Sequence, residues 1–295
     1  MEATISGLKS LYSYHDDPKE EHLERALGIF RRTLEQSKSN SSRYATALFN
    51  LATSKLIRCQ TYGKYSEVNE PIEQYEQALD LRGPGHPDRP GTLLLLSQAL
   101  LSHLGQEYNE SVATRIQHLL KEILHVNSRE RRTADTIART CRLYRGISSR
   151  NLSGVDISFD DLECCSYVPP YGYFDRPHLL HKLGVALWER FQQNSYLHDL
   201  EKSVALNQEA LRLIPDRHDN RGSIVVCLSR SLPRCLEARM DLTDVDMSAN
   251  LVQFEERVVT VLDPILIEGN KWASRVLIRS SADATLATPT KVCTP

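Results

Sequence analysis

Apolar residues along this chain recur at helical spacing, in paired stretches separated by breakers. One stretch follows Asp175-Arg176-Pro177 and places Leu179, Leu183, Ala186, Leu187 and Phe191 on one helix face. The next places Leu200, Val204, Leu206, Ala210, Leu211 and Leu213 on a second face and stops at Pro215. The same pair begins after Gly85-His86-Pro87-Asp88-Arg89-Pro90, where Leu93, Leu96, Ala99 and Leu100 are followed by Val112, Ile116, Leu119, Leu120, Ile123 and Leu124. Further second stretches read Leu23, Leu27, Phe30, Leu34 and Ile72, Tyr75, Ala78, Leu79, Leu81. Each pair predicts two helices, a first (A) and a second (B). Pro90 and Pro177 suit the first turn of an A helix, where a missing N–H costs nothing. Asp88 and Asp175 are placed to cap those turns.

The register is internally consistent. Central A-helix leucines fall at Leu51, Leu96, Leu183 and Leu228, in steps of 45, 87 and 45 residues, and a small residue follows each one. The double step hides a unit at Arg132–Tyr144, centred on Ile137-Ala138. B-helix anchors at Leu27, Ile72, Ile116 and Val204 step by 45, 44 and 88, so a further B helix belongs near Phe159-Asp160-Asp161-Leu162. That stretch is poorly helical and reads as an eroded helix before an aromatic, proline-rich loop. The predicted organisation is a partial unit at 1–34, units at 42–81 and 88–124, and a degenerate unit at 130–165. A loop at 166–174, a unit at 175–214 and a degenerate unit at 220–262 follow. A terminal helix is placed at 263–279 and a disordered, Ser/Thr/Ala/Pro-rich tail at 280–295. The first unit enters at the tail of an A helix, Leu8–Tyr14, as expected of a piece of a longer array or of a short product descended from one.

A fixed period in this range marks a repeat array. The Leu183-Gly184…Leu187 pair followed by Ala210…Pro215 resembles the tetratricopeptide pattern. The unit is longer than the family's usual one, and the extra residues are expected in the A–B connection (Gln192 to Asp199) and the inter-unit turn (Arg217 to Arg221). With its His-Pro-Asp-Arg-Pro turn, the chain is similar to extended arrays abundant in mushroom-forming fungi, which often precede a caspase-like CHAT protease domain. The resemblance implies an all-α fold, a right-handed α-solenoid of antiparallel helix pairs. It also implies a regulatory or sensor role in a larger protein.

Composition narrows the function. The chain has 295 residues and a formal net charge of −2, so no whole-molecule field draws it to nucleic acid or membrane. No apolar run is long enough to span a bilayer, and the N-terminal stretch lacks a signal-peptide core, which together suggest a cytoplasmic protein. The seven cysteines are irregularly spaced and form no C-x-x-C pair, so they read as packed thiols, with the vicinal Cys164-Cys165 the most unusual feature. No phosphate loop, dinucleotide fingerprint, zinc-protease or nucleophile-elbow motif occurs. His178 and His181 stand at i, i+3, but no third ligand has diagnostic spacing. The sequence therefore predicts no catalytic, cofactor-binding or metal-binding residues. Trp188, Phe191, Tyr196, Tyr65 and Tyr75 fit helix packing.

Arginines concentrate at Arg129, Arg131, Arg132, Arg139, Arg142, Arg145 and Arg150. One reading is a solvated helix face. The other is geometric: with Ile137 packed inward, Arg132, Arg139 and Arg142 share another face. In tetratricopeptide arrays the A helices line the concave groove. The candidate groove is then Arg139 and Arg142 as clamp, Arg132 at its rim, Gln98 beside them, and His178 and His181 in a later unit. Guanidinium forks bind carboxylate or phosphate at two points. The expected partner is an acidic or phosphorylated protein segment, with single-stranded RNA or another polyanion as the alternative.

Overall fold

The computed structural model describes residues 2–38, 41–123, 128–150 and 175–242. Helices joined by short turns make up the described residues, with no strand among them. In chain order the helices are α1 (Glu2–Asp16), α2 (Glu20–Glu35), α3 (Ser42–Tyr62), α4 (Asn69–Leu81), α5 (Arg89–Gln106), α6 (Glu110–Ile123), α7 (Ser128–Ser148), α8 (Arg176–Asn194), α9 (Leu197–Leu213) and α10 (Arg221–Leu242). A single 3₁₀ turn, Tyr65–Glu67, precedes α4. The fourth unit's B helix, the loop at 166–174 with Cys164 and Cys165 before it, the Leu251–Leu262 stretch, the helix at 263–279 and the tail at 280–295 lie outside the described residues.

Each helix from α1 to α7 packs against the next, as do α8, α9 and α10. The A helices also meet one another: α3 touches α5, α5 packs on α7, and α8 touches both α5 and α7. The leucines that set the register, Leu51, Leu96, Leu183 and Leu228, are all buried, as is Ile137. α2 shows the simplest case: Leu23, Ala26, Leu27 and Phe30 form one buried stripe and the other faces are polar.

The central A helices differ. In α3 the buried set includes Asn50, Thr53, Ser54, Lys55 and Gln60, and in α5 it runs without a break from Thr92 to Ser102. Two helices so enclosed must satisfy their polar side chains internally. Thr53 donates to the Phe49 carbonyl at 2.8 Å and accepts from the Tyr75 hydroxyl at 3.0 Å. Ser54 and Ser97 donate back to the carbonyls four residues earlier. Gln60 reaches from α3 to Ser102 of α5 at 2.9 Å, and Lys55 is paired with Glu70.

Local stops explain the element boundaries. Ser41 caps α3 by accepting from the Tyr44 N–H at 3.1 Å. Gly63, at φ 70°, ends α3 in the left-handed region that glycine enters freely. Ser195 does the same for α8 at φ 56°. This corrects two expectations. The A–B connection is not a loop from Gln192 to Asp199: α8 runs to Asn194, α9 starts at Leu197, and the extra length is helix. Asp88 and Asp175 occupy N-cap positions but make no side-chain hydrogen bond to their helices. The Leu8–Tyr14 stretch lies within α1, which spans Glu2–Asp16.

The turn arginine holds the unit junctions. Arg89 donates to the Arg82 carbonyl at 2.7 Å and the Leu79 carbonyl at 3.3 Å, at the end of α4, and pairs with Glu122 of α6 at 2.9 Å. Arg221 reaches the Leu211 carbonyl of α9 at 3.5 Å. Arg176 meets Glu209 at 3.7 Å, the counterpart of Arg89 meeting Glu122. A cation on the last carbonyls of a helix satisfies acceptors that have no partner within the helix.

Candidate functional site

α7 carries the arginines and has two distinct faces. Ala134, Ile137, Thr140, Cys141 and Tyr144 are buried. Arg131, Asp135, Arg139, Arg142 and Arg145 are exposed. Arg145 is engaged: its Nε donates to the Tyr108 hydroxyl at 2.9 Å, and it is paired with Glu110. Arg142 forms no salt bridge with a described residue. Arg132 lies in α7, and its side chain is outside the described residues.

The remaining groove candidates sit elsewhere. Gln98 is 3% exposed, His178 2% and His181 8%. They do not line an open groove with the arginines, because the A helices that carry them are packed against other helices and turns. His181 Nδ1 lies 2.8 Å from Asn207 Oδ1, and its Nδ1–H donates there, since the Asn207 amide N–H donates to the Ser203 carbonyl at 2.9 Å. This contact is possible because α8 and α9 approach closely at Gly184. A Cβ there would fall 2.2 Å from Asn207 Nδ2, and Ser203 donates to the Gly184 carbonyl at 2.6 Å. The small residue after the central leucine thus has a specific cause in this unit.

His178 belongs to a buried polar junction that the sequence did not reveal. Here the segment after α3 meets the turns that begin α8 and α10. Tyr65 donates its hydroxyl to Asp175 Oδ1 at 2.8 Å. Its ring lies 4.7 Å from the imidazole of His178. His178 Nε2 donates to the Gly105 carbonyl at 3.0 Å, and Nδ1 accepts from the Asn220 amide at 3.1 Å. The Asp219 backbone N–H donates to the Tyr62 carbonyl at 2.9 Å. Lys64 clasps the Asp219 carboxylate at 2.9 Å. His218 packs against Gly63, and its Nδ1 accepts from the Asn220 N–H at 3.1 Å. The half-buried His86 accepts from the Asp88 N–H in the same way, so the two turns share a motif despite their different sequences.

Burial sets the protonation of this junction. It pushes the Asp175 carboxyl up to about 7, against the pull of the Tyr65 hydroxyl. It drives the Tyr65 phenol well above its usual range, with the Asp175 charge adding to the effect. His178 is pushed down to about 3 by burial, partly offset by its bond to the Gly105 carbonyl. His218 is pushed down to about 4 by burial, against the charge of Asp219. His181 is lowered for the same first reason. All three imidazoles are therefore neutral near pH 7. Beside the junction lies a cavity of about 10 Å³, lined by Gln60, Gln98, Leu101, Ser102, Tyr144 and Asp175.

Reactive groups are muted. Cys59, Cys141, Cys227 and Cys235 are buried free thiols, and burial pushes Cys59 up to about 11, away from the thiolate form a nucleophile needs. Among the described residues no group of three or more His, Cys, Asp or Glu could hold a metal ion. Tyr196 departs from its expected packing role: it is 63% exposed, while Trp188 and Phe191 are half-buried against each other at 5.7 Å. No described helix is long and apolar enough to cross a membrane. Comparison with protein-family models, with curated proteins and with solved structures gave no match for this chain.

Proposed function

We propose that the chain is a non-enzymatic protein-interaction scaffold, an extended tetratricopeptide-like array that takes an acidic or phosphorylated partner segment on the exterior of α7. The carrying observation is the pair Arg139 and Arg142 on the exposed side of a helix whose opposite side is anchored by Ile137, Cys141 and Tyr144. A rigid helix presenting two guanidinium groups about one turn apart can meet carboxylate or phosphate oxygens at several points. The array reading is supported by consecutive packing and by the short connections, such as Asp17–Lys19 between α1 and α2 and Ser195-Tyr196 between α8 and α9, which make neighbouring helices antiparallel. The enclosed faces of α3 and α5 favour the outer surface of α7 over a groove along the A helices.

The test is a panel of acidic, phosphorylated and neutral peptides, with single-stranded RNA as a separate arm, titrated against wild type and Arg139→Ala/Arg142→Ala. The expected result is binding confined to acidic or phosphorylated peptides and weakened about tenfold or more in the double variant. RNA binding with a steep salt dependence, and none to peptides, would replace this reading with the polyanion one.

A further inference from the structure

We propose that the cavity between α5, α7 and the start of α8 is a built hydration site, holding one water molecule that accepts a hydrogen bond from Gln98 Nε2 and donates one to Asp175 Oδ2. Both residues are more than nine-tenths buried, both line the cavity, and neither of these atoms has a hydrogen-bond partner. Buried polar groups are rarely left unpaired, so two on one cavity call for a shared guest. The chemistry of the pair selects it. The amide N–H requires an acceptor and disfavours a cation. The carboxylate, whose Oδ1 already accepts from the Tyr65 hydroxyl, offers only a further acceptor at Oδ2 and disfavours an anion. Water supplies a lone pair to one and a proton to the other. The Ser102 hydroxyl, which accepts from Gln60 Nε2 at 2.9 Å, keeps its own O–H to donate and provides a third partner. The volume of about 10 Å³ suits a single water.

The consequence is a continuous chain of hydrogen bonds, Tyr65 to Asp175 to water to Gln98. It ties the segment after α3, the turn before α8 and the middle of α5 into one unit. This site is independent of the arginine face and stands or falls separately from it.

A crystal structure near 1.5 Å resolution, a thallous-ion soak of the same crystals, and oxygen-17 relaxation dispersion on wild type and Gln98→Met test it together. The expected density is a single sphere about 2.7 to 3.2 Å from both Gln98 Nε2 and Asp175 Oδ2, with no anomalous peak after the soak and one fewer long-lived water in Gln98→Met. Three results would overturn it: Gln98 bonded directly to Asp175 with nothing between them, an anomalous peak marking a cation, or an unchanged water count. The wild-type density decides the matter even if the variant does not fold.

Discussion

Gly184 shows how much can hang on one hydrogen atom. Its missing side chain lets Asn207 lie against the α8 backbone, where it also bonds His181 and the Ser203 carbonyl. Gly184→Ala must displace that amide and break both bonds, with an expected loss of about 1 to 3 kcal/mol in urea unfolding. Gly28 is the counter-case: a Cβ there meets nothing within 4 Å, in the interior of α2. Gly28→Ala should stabilise by about 0.5 to 1 kcal/mol in the same measurement, since alanine only restricts the unfolded chain and favours helix. Residue-scale function was the least legible in the sequence. The pattern placed Leu183 and Ile137 inside because periodicity reports burial of apolar side chains. It placed His178, His181 and Gln98 on a groove because period alone cannot tell a polar residue facing solvent from one facing another helix. Tyr65 and Asp175 are separated by 110 residues, and nothing local announces their contact.

At the scale of elements, helices were legible wherever an apolar stripe met a punctuating turn. Their lengths were not. The assumption that extra residues become loop failed at Ser195, where a single left-handed residue reverses the chain at once and leaves the added length helical. The turn arginine was visible as a recurring Asp-Arg pair, yet its role needed coordinates: it joins the end of one B helix to the next B helix. Arg89→Met keeps the aliphatic stem and removes three acceptors' donors, so unfolding should show a loss of about 1 to 3 kcal/mol. Arg221→Met should cost less, because its carbonyl contact is longer, at 3.5 Å.

Among the described residues, segments far apart in sequence are tied together by the junction of Tyr65, Asp175, His178 and His218, and this gives stability a defined pH dependence. The two imidazoles, held at about 3 and about 4, take up protons on unfolding below their ordinary 6.5. Asp175, held at about 7, releases one on unfolding above its ordinary 3.8. Between roughly pH 6 and 4.5 the unfolded chain therefore binds a net excess of about one proton from these three groups, and stability falls by about 1.4 kcal/mol per pH unit as pH drops. His181 adds to the fall. Near pH 7 the opposing contributions cancel. Asp175→Asn removes the compensating carboxyl, so its slope over the same window should steepen by about one proton, as urea titrations at successive pH values would show.

The buried and exposed faces of these packed helices make opposite demands on binding. If partners dock on the outer face of α7, then charge at Arg139 and Arg142 governs affinity and the buried Gln98 is irrelevant to it. Fluorescence anisotropy of one labelled acidic peptide, titrated against wild type, Arg139→Ala/Arg142→Ala and Gln98→Met, separates the two. The account predicts about tenfold or greater weakening in the arginine variant, deepening contrast at low salt, and wild-type affinity in Gln98→Met. Binding that survives loss of both arginines but fails in Gln98→Met would contradict it.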